Sequence, residues 1–290
     1  MEIGVVNVGS FHGGLKQFLK SLNENMPEDA SLIGVEFDYE NSHYVFKPFE
    51  KKATTISGRQ SLPELRSLQF KGDSSKLFVN SIAKMALQKL IVIGPLEDAL
   101  QIQRLLKGVT TVLCVPSSIY NDVSESDYTL GYDTALNSVV KSILQVKDTA
   151  SSLVLKETRL FCIQIPGNSR GTLLTDAAIA VDGVEIKSLE TMAQVQAEIE
   201  KKVVRGETFV FLLMNEEVDP QEVKAKLIEP FDFRLTTIDE AQCMGPYPTA
   251  LDRVLAQKFV RESLEWLNNK EESSILLFKN NQVVTKQIEE

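Results

Sequence analysis

Residues 111–122, TVLCVPSSIYND, and residues 126–147, SDYTLGYDTALNSVVKSILQVK, set the architecture of this chain. Thr111 to Val115 is a nearly unbroken apolar, β-branched run, the composition of a strand covered on both faces. PSSIYND then turns the chain, and Thr134 to Lys147 carries the apolar spacing of an amphipathic helix. Asp127, Thr129, Gly131 and Thr134 stand where that helix begins, and they read as caps and fold-maintaining residues before they read as ligand contacts.

The same alternation extends in both directions. Strands are predicted at Ile3 to Val8, Leu32 to Phe37, Leu90 to Ile93, Arg159 to Ile165, Phe209 to Met214 and Arg234 to Ile238. Helices are predicted at Leu15 to Leu22, Lys76 to Leu87, Glu97 to Leu106, Thr172 to Ala180, Leu189 to Val203, Gln221 to Leu227 and Leu251 to Leu267. Such βαβα order implies right-handed crossovers and mainly parallel sheets, an α/β fold. The final stretch, SSILLFKNNQVVTKQ, reads as a hairpin with Asn280 and Asn281 at its turn. Open parallel sheets place ligands at the carboxyl ends of their strands. Those ends read VGSFHGG, IGPLEDA, CVPSSIYND, QIPGNSRG and TTIDEAQCMG.

Composition narrows the function classes. The 290 residues carry 31 Lys plus Arg against 40 Asp plus Glu, a net charge of −9 that argues against a nucleic-acid partner. Hydrophobic residues at 43% and charged residues at 24% suit a soluble globular protein of one large or two modest domains. Cys114, Cys162 and Cys243 are scattered, which fits buried thiols in a reducing compartment and neither a disulfide framework nor a zinc site. With only His12 and His43, multi-histidine metal sites are excluded, and His12 reads equally as a surface residue or a ligand. The opening EIGVVNV has no signal-peptide pattern and no apolar run approaches the ~20 residues of a membrane span, so the expected location is the cytoplasm.

PSSIYND and the helix after it resemble the 6-phosphofructokinase family of the bacterial ATP-dependent type, where P-G-T-I-D-N-D precedes T-D-x-T-I-G-F-x-T-A-L and R-D-T-A-S-S. GVVNVGSFHGG falls at the family's glycine-rich G-G-D loop, PELR (Pro63 to Arg66) resembles P-E-F-R, and IVIGPLEDA sits at V-I-G-G-D-G-S. IQIPGNSRG corresponds to V-E-V-M-G-R-x-x-G and LDRVLAQK to Y-D-R-x-L-A-S, so the resemblance covers essentially the whole chain. It implies two Rossmann-like α/β/α lobes, with the sugar site completed by a neighbouring subunit of a dimer or tetramer. The larger, nucleotide-side lobe is expected to comprise residues 1–131 plus 241–268. The smaller, sugar-phosphate-side lobe is expected to comprise residues 132–240 plus 269–290.

The residues at the family's chemical positions are then judged physically. The catalytic base position holds Tyr120, a phenol with an ordinary pKa of about 10 and a poor base near neutral pH. Asp122, Glu97 and Asp98 lie close enough in sequence to be substitutes. In place of G-G-D-G-S stand Gly94, Pro95, Leu96, Glu97 and Asp98; Pro95 removes an N–H from the phosphate cradle, and Leu96 cannot ligate magnesium. Gly9 and Gly94 are the remaining weak nucleotide contacts, with Phe11 at a family Asp and Ser61 at a family Arg.

On the sugar side, Glu240, Cys243, Pro166 and Asn168 replace a family His, Arg, Met and Arg. Arg159 and Arg234 match two arginines that the family takes from the adjacent subunit to hold the sugar phosphate, and Ser118, Asp122 and Glu216 complete the candidate substrate set. Both arginines also read as ordinary surface or interface charges. Lys20, Lys147 and Glu185 fall at effector positions, but Glu24 and Glu207 fall near other basic ones.

The sequence thus leads to a phosphofructokinase-fold pseudoenzyme that binds a sugar phosphate or a protein partner, as a homo-oligomer or with an active homologue. No cofactor, metal, membrane or nucleic acid is expected. The alternative is a divergent glycolytic 6-phosphofructokinase transferring phosphoryl from ATP, with Mg²⁺, to fructose 6-phosphate.

Overall fold

The computed structural model describes all residues except 51–64, 70–73, 152–157, 229–230, 246, 270–271 and 289–290. Ser61 and the Pro63–Glu64 half of PELR lie outside the described residues. The chain divides into one unit of residues 1–118, 123–131 and 248–290, and another of residues 119–122 and 132–247.

The first unit is built on β1 (Glu2–Asn7), β2 (Ser31–Asp38), β3 (His43–Pro48), β4 (Lys89–Gly94), β5 (Thr111–Pro116), β10 (Ser274–Lys279) and β11 (Gln282–Gln287). Its sheet order is β11-β10-β5-β4-β1-β2-β3, parallel from β10 to β2, with β11 and β3 as antiparallel edges. The unbroken apolar runs follow from that position. Ile91 and Ile93 pack under α1 (Gly13–Asn25) and α9 (Ala250–Asn269), against Phe18, Leu22, Phe259 and Trp266. Leu90 and Val92 point to the other face, against Phe78 of α2 (Ser74–Met85) and Ile102 of α3 (Leu96–Leu105). Full burial of each such side chain contributes ~1.5–3 kcal/mol.

The second unit repeats the plan at smaller scale. β6 (Arg159–Ile165), β7 (Val184–Ile186), β8 (Phe209–Asn215) and β9 (Asp232–Thr237) form an all-parallel sheet in the order β7-β8-β6-β9. Ile163, Ile165 and Leu213 pack on α4 (Tyr132–Ser151) and α5 (Leu173–Ala180). Leu160, Cys162 and Leu212 pack on α6 (Met192–Val204) and α7 (Pro220–Lys226).

Several expectations need correction. The hairpin β10–β11 belongs to the larger sheet and not to the smaller lobe, because Ser274 and Ile275 pair with Leu113 and Cys114 of β5. Residues 119–122 and 241–247 go with the second unit. The hairpin turn itself is as read: Asn280 and Asn281 both take positive φ, 50° and 63°, which suits a tight two-residue turn. The short β3, β7 and α8 (Glu240–Met244) were not anticipated.

Asp127 and Thr129 brace loops instead of capping α4. The Asp127 N–H donates to Phe278 O at 2.7 Å, and its Oδ2 accepts from Asn280 N at 2.7 Å. Thr129 Oγ1 donates to Ser118 O at 2.6 Å. Gly131 is required where it stands: its φ is +96°, its N–H donates to buried Asp252 Oδ1 at 2.9 Å, and a Cβ there would lie 2.5 Å from the His12 ring. Gly131→Ala is therefore expected to cost about 2 kcal/mol or more, from backbone strain plus steric conflict. Urea unfolding of the variant beside the parent measures it, and a change below about 0.5 kcal/mol contradicts the packing described.

Candidate functional site

In the first unit two strand-end loops come together. After β1, buried Asn7 donates from Nδ2 to Leu65 O at 2.9 Å and accepts from Gly9 N at 3.0 Å. A Cβ on Gly9 would meet Pro95 Cδ at 2.8 Å and Gly94 Cα at 3.3 Å. Gly94 has φ +151°, and a Cβ there would meet Val8 Cγ2 at 2.6 Å and Gly9 N at 2.8 Å. Both glycines thus have a reason in backbone packing that needs no ligand. Phe11 packs partly buried against the core.

His12 is neither a surface residue nor an open ligand. It is buried at the N-cap of α1, where Nδ1 accepts from Leu15 N at 3.2 Å. Because Nδ1 is the acceptor, the ring proton sits on Nε2 and points at Ser117 Oγ, 2.8 Å away. A histidine donating to a serine cannot take that serine's proton, so this is a structural clamp and not a nucleophile–base pair. Burial pushes the His12 pKa down to about 4, which keeps the ring neutral. Ser118, a candidate substrate contact, is also buried, with its N–H donating to Leu130 O at 3.1 Å.

After β4, Pro95 occupies the N-cap of α3 without a side-chain cap bond, and Glu97 and Asp98 are exposed in the first turn. Their charge is favourable at a helix N-terminus. Leu96 offers no oxygen to a hard cation, and among the described residues no three His, Cys, Asp or Glu side chains are grouped to hold a metal ion.

In the second unit the carboxyl ends of β6, β8 and β9 surround Tyr120. Its backbone O accepts from Thr172 N at 3.0 Å. Its ring lies against Gly167, whose φ is +117° and where a Cβ would come within 3.0 Å of the ring. A Cβ on Gly171 would meet Tyr120 O at 2.3 Å. Asn121, at φ +54°, donates to Thr172 Oγ1 at 3.2 Å, and Tyr132 donates its hydroxyl proton to Asp176. Burial raises the Tyr120 pKa, and Glu240, Glu216, Cys243 and Asp122 raise it further. Tyr120 therefore stays protonated near neutral pH. Asp122 keeps Oδ1 buried with no donor among the described residues. Glu217, which the sequence reading did not single out, accepts from Ser169 N at 3.1 Å and orders the loop after β6.

Arg159 stands at the other end of that sheet, and Arg234 lies within β9, in register with Phe161. Arg159 opens β6, buried, with its guanidinium 5.6 Å from the centre of the Phe161 ring. Arg234 lies on the neighbouring strand, exposed, and pairs with Asp232 at 2.9 Å. Since β6 rises ~3.3 Å per residue, Arg159 is ~20 Å along the sheet from Ile165 and the Tyr120 end. The structure does not bring the arginines to the other candidate residues of their own chain.

Residues 3–267 match the phosphofructokinase family. The chain belongs to that family. Its similarity to the ATP-dependent 6-phosphofructokinase of Buchnera aphidicola is 28% identity over 287 residues, covering 92% of this chain and 85% of that one. With ATP-dependent 6-phosphofructokinase 1 of Clostridium perfringens it shares 29% over 303 residues, covering 100% and 93%. The fold is also that of the crystal structure of Pichia pastoris phosphofructokinase in the T-state, with a TM-score of 0.82 at 17% identity, over 99% of this chain and 37% of that one.

Within this phosphofructokinase-family chain, Lys20, Glu24, Glu185 and Glu207 are engaged locally. Lys20 pairs with Glu24 at 3.8 Å. Glu185 accepts from Thr175 Oγ1 at 2.7 Å, and Glu207 pairs with Lys202 at 3.4 Å. Lys147 is exposed on α4. No helix of the described residues is long and apolar enough to cross a membrane.

The His12 clamp carries a pH signature. Its folded pKa, about 4, lies below the ordinary 6.5, so the unfolded chain takes up the proton first. Its contribution to stability is complete above pH ~6.5 and lost as pH falls towards ~4, on the order of 3 kcal/mol in all. His12→Asn keeps a capping side chain and removes the titration. The stability difference between parent and variant should narrow on acidification through that window; a pH-independent difference contradicts the assignment.

Proposed function

We propose that this phosphofructokinase-family protein works by binding a sugar phosphate or a protein partner, without the phosphoryl transfer for which its relatives are named. One observation carries this reading: Tyr120 occupies the position where the resemblance places the family's general base, and burial together with neighbouring carboxylates holds its proton. Losing a general base costs typically ~10²–10⁴ in rate. Leu96 at the metal-linked position and Pro95 in the phosphate loop add to it.

Phosphoryl transfer from ATP to fructose 6-phosphate is the second reading, favoured by the names of the relatives. In that reading Asp122, whose Oδ1 is buried without a donor, takes the proton of the sugar hydroxyl. A coupled assay for fructose 1,6-bisphosphate with Mg²⁺ and either ATP or pyrophosphate separates the two. The binding reading expects no turnover above that of an Asp122→Asn variant. Turnover of about 1–100 s⁻¹, lost in Asp122→Asn and kept in Tyr120→Phe, overturns it in favour of the kinase.

If a sugar phosphate is the ligand, Arg159 and Arg234 hold its phosphate for the strand-end site of a neighbouring subunit, since Arg159 lies far along the sheet from its own Tyr120 and Arg234 projects from the adjacent strand. Fructose 6-phosphate should then raise the melting temperature of the parent, and Arg159→Ala/Arg234→Ala should abolish the rise. Equal stabilisation of parent and double variant removes the arginines from the site.

A further inference from the structure

The turn that carries Tyr120 and Asp122 is tied to the start of α5 by a chain of side-chain hydrogen bonds. Asn121 Nδ2 donates to Thr172 Oγ1 at 3.2 Å, Thr172 Oγ1 donates to the Tyr132 hydroxyl at 3.3 Å, and that hydroxyl donates to Asp176. An ionised carboxylate only accepts, so the Tyr132 proton points at Asp176 and the Thr172 proton at Tyr132. Asn121 is then left to present its NH₂ group. All three bonds run in one direction, towards the charge, and each polarises the next. The Thr172 N–H adds a fourth bond, to Tyr120 O at 3.0 Å.

Three features of these residues are unexplained by packing alone. Thr172 stands at the N-cap of α5, where a threonine hydroxyl ordinarily accepts from the first helical N–H groups, yet it makes no cap bond. Its hydroxyl serves the turn instead. Asn121 holds φ +54°, a conformation that side chains seldom adopt and that needs support from its surroundings. Tyr132 is 2% exposed, and its ring packs in the core with Ile165 and Leu173, a role that a phenylalanine would fill. The motif it resembles, T-I-G-F, has that phenylalanine, so the hydroxyl is what this chain adds.

We propose that Tyr132, Thr172 and Asp176 are positioning residues, which hold the 119–122 turn in one conformation and so set Tyr120 and Asp122 at the strand ends before any ligand arrives. This rests on the reading above that the strand ends around Tyr120 are the binding site. A turn fixed beforehand loses less freedom when a ligand binds, so the polar chain raises affinity without touching the ligand.

The test is hydrogen–deuterium exchange of the full chain, followed over residues 117–123 and 168–173, beside the melting-temperature rise given by fructose 6-phosphate. Tyr132→Phe keeps the ring and removes the hydroxyl. Thr172→Val, at an exposed position, removes the middle link, and Thr172→Ser retains it. The first two variants should exchange about fivefold faster over both segments, as expected for one lost hydrogen bond, with the strands of the second unit unchanged. Their stabilisation by fructose 6-phosphate should fall, and Thr172→Ser should match the parent in both measurements. Unchanged exchange in both Tyr132→Phe and Thr172→Val, acceleration spread evenly over the unit, or Thr172→Ser behaving as Thr172→Val each overturns the proposal, and so does equal stabilisation of the parent and every variant. A parent that fructose 6-phosphate does not stabilise removes that sugar phosphate from the proposed function, while local loosening in the variants still upholds the fixed turn.

Discussion

The imidazole of His12 fills the space that a side chain at position 131 would occupy, and the first unit closes around that contact. The ring caps α1, meets Ser117 beyond β5, and lies on Gly131, whose N–H is held by Asp252 of α9. Three segments far apart in sequence thus share one buried imidazole, which has to stay neutral because its N-cap bond uses an unprotonated nitrogen. A charged group at that point would lose the cap and leave an uncompensated cation in the interior. The loops of β1 and β5 therefore rest on a buried, hydrogen-bonded imidazole.

The glycines nearby acquire a different meaning in that light. A glycine loop at a helix start suggests phosphate, but Gly9 and Gly94 approach each other with Val8 and Pro95 between them, and that approach alone excludes a Cβ. Around Tyr120 the logic is similar. Gly167 leaves room for the Tyr120 ring, and Gly171 for its backbone carbonyl. The carboxylates of Glu240, Glu216 and Asp122 then hold the phenol protonated.

Much of this was legible without coordinates. Strand runs such as Thr111 to Val115 announce burial on both faces, because only side chains apolar at consecutive positions can cover both sides of a parallel sheet. The paired Asn280 and Asn281 announced the hairpin turn, because both take the left-handed conformation that asparagine tolerates.

Sequence alone therefore determined the α/β class, the family and the buried cysteines, all of which follow from residue type, motif and local periodicity. Only the tertiary structure decided what depends on partners distant in the chain. The hairpin joined β5 because backbone pairing is blind to side-chain pattern. Asp127 gripped Asn280 rather than capping a helix, and His12 went inside, because a polar side chain's role is set by which donor or acceptor the fold brings to it. Arg159 and Tyr120 came to lie at opposite ends of one sheet for a geometric reason: each residue of a strand advances ~3.3 Å, and residue type does not encode which end of the sheet it will reach.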